Sequence, residues 1–393
     1  MTEDEYMALA RQKYDDLQQL KTQPTFYDYE KSFDAIWQDL GRQVLEKTLS
    51  DLPTDRRKKK KMMTRYGQIQ IANSELFSRH LNGFGISPYL QEKLVFLGQL
   101  EVYDQAAQVA KTLMGLPVAA SQIYRLTNHY GAAIETDLDQ PVVTDQPPAG
   151  IVYVQADGAM LLTDEGYKEN KLSRIFKATA LKKSPVIDRG GHIESCLFTA
   201  HLGNATDFTT KFRPHLDPYK PLGSDLVFIS DGALWLRQLM TTHYPQATLI
   251  LDFWHLMSYV GKVGVAAFRT PTSRAKWIDH QRNLLLDSKL DDVLDHIKAV
   301  RIPAALRDSV SAYLETNRDR MDYASYQKRG LLIGSGAIES AHRTVVQKRL
   351  KRSGQRWSLA GAQHVLNLRT CFMSQRWELV RKHIEPFNYA MAA

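Results

Sequence analysis

Three acids, Asp157, Asp231 and Glu339, stand in local settings that could bring them to one site. Asp157 follows the apolar run IVYV at 151–154, read as a buried strand ending at the acid, and Asp231 follows a second such strand, LVFIS. Glu339 comes just after a GSG corner, in the first turn of a helix whose dipole and free N–H groups favour an ionised carboxylate. Strand ends of an α/β sheet open into a crevice beside the sheet, where carboxylates can meet. Three converging carboxylates repel one another unless cations lie between them. Hard oxygen donors of this kind suit Mg²⁺ or Mn²⁺. Two such ions, roughly 3.5–4 Å apart, clamp the attacking and leaving oxygens of an in-line displacement at phosphorus. Each acid also has a local reading. Asp157-Gly158 fits a hairpin turn, Asp231 fits a helix N-cap, and Glu339 fits an i, i+4 pair with Arg343 worth about 0.2–0.5 kcal/mol. Those readings leave unexplained why all three acids border one crevice and why a basic helix follows. Two-metal chemistry accounts for both.

Such acids need a sheet and a helix to hold them. Residues 151–154, RIFKATAL and SCLFTAHL read as three successive strands. NATDFTTKFRPHL reads as a helix capped by Asn204 or Thr206. A strand into Asp231 and a helix follow, then a strand into Asp252. The order β-β-β-α-β-α-β makes an α/β fold, a mixed sheet with helices on its faces. Residues 253–330 carry only helical periodicity, broken at Pro303. They form an all-α insertion ahead of the helix that holds Glu339.

The chain therefore divides into a helical region at 1–60, a helical region at 61–134, and a Pro- and Asp-rich linker at 135–150. The first part of the core at 151–255, the insertion at 256–330 and the last part of the core at 331–393 follow. In 1–60, Phe33, Ile36, Leu40 and Val44 share one helical face, suited to a partner helix of this chain or of a second subunit. In 61–134, a helix through Ala106, Val109, Ala110 and Leu113 breaks at Gly115-Leu116-Pro117, and Ser121 would cap a second helix that presents Arg125 and Asn128. That pattern fits a DNA-binding helix-turn-helix and an ordinary helical hairpin equally.

Charge is unevenly spread. The 393 residues carry net +8, yet residues 1–55 hold 6 Lys/Arg and 12 Asp/Glu, net −6. Residues 336–393 hold 10 Lys/Arg and 3 Asp/Glu, net +7. Arg56, Arg57, Lys58, Lys59, Lys60 and Lys61 form an unbroken basic run. With Arg343, Lys348, Arg349, Lys351, Arg352 and Arg356 they make the electrostatic footprint of a nucleic-acid-binding protein, although a basic run alone also fits a solvated surface. Trp357 is read as a core residue rather than a base-stacking one. Two cysteines, Cys196 and Cys371, are too few for a disulfide framework or a four-cysteine zinc site. No apolar run reaches membrane-spanning length, and MTEDEYMALARQ is too acidic for a signal peptide, so a soluble cytoplasmic protein is expected.

The motifs QADGAML, ISDGALWL and LDFWH, and the block NRDRMDYASYQKRGLLIGSGAIESAHRTVVQKRLKRSGQRWS at 317–358, resemble bacterial insertion-sequence DDE transposases of the Kra type, related to the Mutator-like group. The resemblance covers roughly 151–376 well and the N-terminal third loosely. It implies an RNase H-like catalytic domain in which Asp157, Asp231 and Glu339 are the catalytic, metal-binding triad, with two Mg²⁺ or Mn²⁺ ions. It further implies hydrolysis at transposon ends and strand transfer into target double-stranded DNA, by a homodimer or larger synaptic assembly at the bacterial nucleoid. Asp252 and His255 match an Asp/Cys-x-x-His motif of such relatives. From the residues alone, Asp252 caps a helix and His255 is a buried, hydrogen-bonded histidine, with contact to DNA or a ligand role as the other reading. Some relatives carry an N-terminal cysteine pair, which residues 1–150 lack. End recognition would then rest on the helix-turn-helix, on the basic run, or on both. A structure-selective nuclease of the same fold and a transposase-derived DNA-binding protein that no longer cleaves are the competing readings.

Overall fold

Residues 152–156 are all buried because helices cover both faces of the strand, and the alternation of its side chains decides which face Asp157 serves. The computed structural model describes residues 1–51, 58–72, 84–142, 150–183, 191–222 and 224–384. Two units emerge, one of Met1–Glu135 with the segment from Trp377 onward, the other Thr136–Arg376.

The first unit opens with α1 (Glu3–Gln19), capped by Thr2 and Glu5, and α2 (Phe26–Ser50). Buried Lys13 ties the two helices through Asp39 at 2.7 Å. The apolar face at Phe33, Ile36, Leu40 and Val44 is not buried within this chain, since no residue of α2 is buried. Its first half instead carries a ladder of rings, Phe26, Tyr29, Phe33 and Trp37, with centroids about 6 Å apart. Only Leu45 and Leu49, near its end, pack on a small core, formed by Met62, Ile69 and Ile71 of the hairpin β1 (Lys60–Thr64) and β2 (Gly67–Ile71). Three helices follow, α3 (Pro88–Leu100), α4 (Tyr103–Met114) and α5 (Ala120–Ala133). The expected break is present, with Gly115 at φ 67° ending α4 in the left-handed region that favours glycine. The second helix starts at Ala120 rather than after a Ser121 cap, because the Gln122 side chain reaches back 3.2 Å to the Ala119 N–H.

The second unit begins near α6 (Glu135–Leu138). Its strands are β3 (Ile151–Thr163), β4 (Gly166–Lys177), a ribbon of β5 (Leu181–Lys183) and β6 (Gly191–Ile193), and β7 (Leu197–Leu202). Then come α7 (Ala205–Leu216), capped by Asn204, β8 (Asp225–Ser230), α8 (Leu234–His243) and β9 (Thr248–Leu251). The five-stranded sheet has the order β7-β4-β3-β8-β9, antiparallel across β7, β4 and β3 and parallel across β3, β8 and β9. This is the mixed sheet expected from the sequence, with the RNase H-like strand order. The insertion comprises α9 (Phe253–Ala267), α10 (Pro271–Leu286), α11 (Leu290–Ala299), α12 (Ala304–Thr316) and α13 (Tyr323–Lys328). After it come α14 (Gly336–Ala341), a π-helical segment (His342–Gln347), α15 (Lys348–Leu350) and α16 (Leu359–Met373). The last helix, α17 (Glu378–Ile384), belongs to the first unit, where Trp377 and Arg381 both bond Glu92. The sequence alone gives no sign of this return and keeps residues 331–393 together.

Helices cover both sheet faces. On one, α7 and α8 pack Phe208, Phe212, Leu236 and Leu239 against Val152, Val154, Ala156 and Phe228. On the other, the insertion packs against Tyr153, Phe176, Val227 and Ile229, while α14 and α16 pack Ile338, Ala341 and Val365 against Leu161, Leu172 and Phe198. Each fully buried side chain of this size contributes about 1.5–3 kcal/mol. A one-residue slip of β3 would exchange its two faces, so this core fixes the register that turns Asp157 toward α14.

Candidate active site

Asp157 lies in mid-strand, not at a strand end. β3 runs six residues further than expected because β4 pairs along nearly its whole length, Asp157 facing Leu172, until the turn closed by Gly166 at φ 86°. The hairpin therefore lies at 164–165 and not at Asp157-Gly158. On its other edge β3 pairs in parallel with β8, Gln155 opposite Ile229, and β8 ends at Ser230. Continuing that register two residues along each strand brings Asp157 level with Asp231 on the neighbouring strand, where strands are about 4.8 Å apart. Asp157 Oδ1 accepts from the Gly158 N–H at 2.7 Å, and Asp231 Oδ1 from the Ala233 N–H at 3.0 Å. Burial pushes the Asp157 pKa up to about 6, and repulsion from Asp231 pushes the same way, while the Gly158 N–H and the His255 charge oppose.

That shift sets a pH dependence. Above about pH 6 Asp157 is ionised in the folded and unfolded chains, and the folded state bears the burial and the repulsion. Below about pH 4 both are protonated and the cost is gone, so stability rises as pH falls through this window. Asp157→Asn in metal-free protein should therefore raise the thermal midpoint near pH 7.5 and leave it unchanged near pH 4. Equal shifts at both pH values would show that the charge is not the cause.

Glu339 follows an anchored corner. Gln155, two residues before Asp157 on the same face, is buried and clamps both sides of the GSG turn. Its Nε2 donates to Gly334 O at 3.2 Å, and its Oε1 accepts from Ile338 N at 3.0 Å. Asp252, 1% exposed, does double duty. Its Oδ1 caps α9 by accepting from the N–H groups of Trp254 (2.6 Å) and His255 (2.8 Å). Its Oδ2 accepts from Ser335 N at 2.7 Å and from the Ser335 hydroxyl. Phe253 N donates to Ile333 O at 2.9 Å, and Arg174 Nη1 to Ala337 O at 3.2 Å. Two strands and the start of α9 thus hold the beginning of α14. Glu339 is exposed on it, and among the described residues it makes no ion pair with Arg343. His342, three residues on, is buried with Nε2 3.5 Å from Asp157 Oδ2.

The insertion supports Asp231. Tyr313 of α12 donates its hydroxyl to Asp231 O at 2.7 Å. Gly232 sits at φ 100°, which side chains rarely adopt, and an added Cβ would lie 3.3 Å from Leu251 and 3.4 Å from Asn317 and Tyr313. The Tyr313 ring stacks on Tyr259 at 4.2 Å, with His255 beside both. Arg320, 2% exposed and held by Asn317, adds a cation whose charge interacts with Asp231. Asp252 caps α9 as the sequence suggested. His255 is half-buried, and its charge acts on Asp157 rather than being sealed in a core.

The basic residues do not all face solvent. Arg343, Lys348, Lys351 and Arg352 are exposed. Arg349, expected on phosphate, is instead fully buried with its guanidinium 5.1 Å from the Trp357 ring centre, because it falls on the same helical side as Val345 and Val346. Trp357 is a core residue, 8% exposed, as expected. Arg356 is exposed but pairs with Asp164 at 3.3 Å. In the first unit Lys58, Lys59, Lys60, Lys61 and Arg125 are exposed, while Arg56 and Arg57 lie outside the described residues. Gln155, Ser335, Tyr313 and His342 escape a reading of the sequence. Gln155, Ser335 and His342 lie inside the motifs quoted above, but nothing local gives them a role, which only the packing of α14 and α12 against the sheet supplies.

The donors suit a hard cation in part. Two carboxylates, one in the middle of β3 and one just past the end of β8, with repulsion left between them, match the one or two carboxylates by which Mg²⁺ is usually held alongside phosphate oxygens. Among the described residues no three His, Cys, Asp or Glu side chains gather as a metal cage, so Glu339 does not close on the aspartates in this conformation.

Sheet order, flanking helices and the insertion define an RNase H-like α/β unit joined to a largely helical one. No family model matches the chain. It is 22% identical over 311 residues to a UPF0236 protein in the vanSb 3′ region of Streptococcus gallolyticus, across 77% of this chain and 67% of that one. A simian T-cell lymphotropic virus intasome in complex with PP2A regulatory subunit B56 gamma shares 13% identity over 56% of this chain and 67% of that one, but its TM-score of 0.17 carries no argument. Among the described residues no helix is long and apolar enough to cross a membrane.

Proposed function

We propose that this chain is a DDE transposase that binds the ends of a mobile DNA element and joins them to target DNA. The observation that carries the reading is Asp157 on β3 and Asp231 just past the end of the parallel neighbour β8, close enough for the Asp231 charge to oppose ionisation of Asp157. Bound between them, Mg²⁺ or Mn²⁺ would polarise the phosphate and activate the attacking oxygen, two ions serving both oxygens of the displacement. Asp157 and Asp231 would hold the metal, and Glu339 would complete the set from the anchored turn of α14. Tyr313 keeps the Asp231 backbone in place, and Asp252 with Gln155 keeps the start of α14 in place. Arg343, Lys348, Lys351 and Arg352 would meet the DNA backbone, which positions the duplex without reading its sequence. Two ends must be brought together, so the working form would be a dimer or larger assembly, with Lys58, Lys59, Lys60, Lys61 and Arg125 as further DNA contacts.

The test incubates protein, Mg²⁺ and end-sequence DNA with a target plasmid. Joined product supports the reading, and cleavage without joining moves it to a nuclease. Binding to the same DNA should weaken steeply with salt. Replacing Lys348, Lys351 and Arg352 together by Ala should flatten the slope of log K against log salt by about 0.9 for each phosphate that is no longer neutralised. An unchanged slope in a titration across salt concentrations would remove these residues from the interface.

A further inference from the structure

We infer that His342 is a positioning residue for Asp157, holding its carboxylate by a hydrogen bond from Nε2 when a divalent cation sits on the aspartate pair. This rests on the metal-site reading above. His342 is 4% exposed, and among the described residues neither ring nitrogen makes a hydrogen bond of good geometry, although the Asp157 backbone also stands within weak reach of the ring. Buried polar groups are rarely left so, and each one calls for an explanation. The polar group that Nε2 approaches is Asp157 Oδ2, 3.5 Å away and just beyond a formed bond. Such bonds often tighten when a ligand binds.

Three features fit this role. Asp157 Oδ1 is already fixed by the Gly158 N–H at 2.7 Å, so a bond at Oδ2 would set the plane of the carboxylate. Each oxygen would keep a lone pair for a metal. His342 also opens the π-helical segment His342–Gln347, a local widening of the helix that is frequent at functional sites. Finally, Ser335, Glu339 and His342 follow at i, i+4 and i+7 along one side of the helix. Ser335 is tied to Asp252 and His342 stands against Asp157, so both ends of the turn carrying Glu339 are referenced to the strand ends. Carboxylates that bind metals are typically held in this way, and loss of the outer hydrogen bond costs about 10–100-fold in metal affinity.

The test titrates metal-free full-length protein with Mn²⁺, following free Mn²⁺ by its EPR signal, alongside thermal midpoints. His342→Phe should bind Mn²⁺ about 10–100-fold more weakly than the natural chain. His342→Gln, which keeps an N–H donor, should recover most of that loss. His342→Phe binding as tightly as the natural chain overturns the inference, as does a folded His342→Gln that binds as weakly as His342→Phe. If the phenylalanine variant does not fold, long-range ¹H–¹⁵N spectra of the natural chain with Mg²⁺ decide. An Nε2-protonated ring supports the inference and an Nδ1-protonated ring with bare Nε2 overturns it. Should the natural chain bind Mn²⁺ no better than Asp157→Ala, the metal-site reading itself fails and takes this inference with it. A normal Asp157 dependence with an indifferent His342 sinks the inference alone.

Discussion

Asp157→Asn and Glu339→Gln are each expected to lower joining of end DNA to target by at least about 10³-fold, while leaving the fold and DNA binding in place. A metal acting as Lewis acid at phosphorus supplies several kcal/mol of barrier lowering, and every 1.36 kcal/mol is tenfold in rate. Removing one carboxylate from a pair that holds the ion forfeits most of that. The two substitutions test different links. Asp157 is packed beside Asp231, and the same Asn variant should be more stable than the natural chain near neutral pH, because burial and the Asp231 charge both oppose its ionisation. A variant that gains stability while losing activity separates a functional acid from a structural one. Glu339 is exposed at the start of α14 and pairs with no cation among the described residues, so Gln costs the fold little. Joining measured in single-turnover gel assays decides the matter. Activity that survives both substitutions would sink the triad.

The largest stability effect is expected at Asp252. Asp252→Ala removes a buried acceptor of four hydrogen bonds, from the N–H groups of Trp254, His255 and Ser335 and from the Ser335 hydroxyl. Donors left unpaired in a dry interior cost about 1–3 kcal/mol each, with partial relief as the chain relaxes, so a loss of about 3–5 kcal/mol is expected. Asp252→Asn keeps an oxygen for the α9 N–H groups but turns an amide toward Ser335, and should lie between. Urea unfolding gives both values. Amide exchange at 333–341 should quicken in Asp252→Ala more than exchange in β3, because the bonds lost to Ser335 are among those that pin the corner. Uniform quickening would mean that Asp252 serves the whole unit rather than the start of α14.

The fold of the second unit is largely legible in the sequence because its signals are local. Short apolar runs mark buried strands, and Asn204 and Asp252 cap helices within three residues of themselves. Asp157 reads as a strand end because the apolar run stops there. What extends β3 to Thr163 is pairing with β4, whose residues lie outside that run. The same limit applies to Arg349. A basic residue in a basic stretch reads as exposed, yet helical phase turns it under Trp357. The face of α2 at Phe33, Ile36, Leu40 and Val44 reads as suited to a partner helix of this chain or of a second subunit, and periodicity reports only that this side is apolar, not what covers it.

By itself, then, the sequence determined the succession of strands and helices, the helical insertion and the charge of the helix that follows Glu339, since each depends on neighbours a few residues away. Tertiary structure decided that Asp157 and Asp231 stand level, that Gln155 and Asp252 fasten the corner before Glu339, and that His342 faces Asp157. Those pairings join residues 74 to 185 positions apart. Such distances are closed only when the sheet and its helices pack, and no local propensity encodes them.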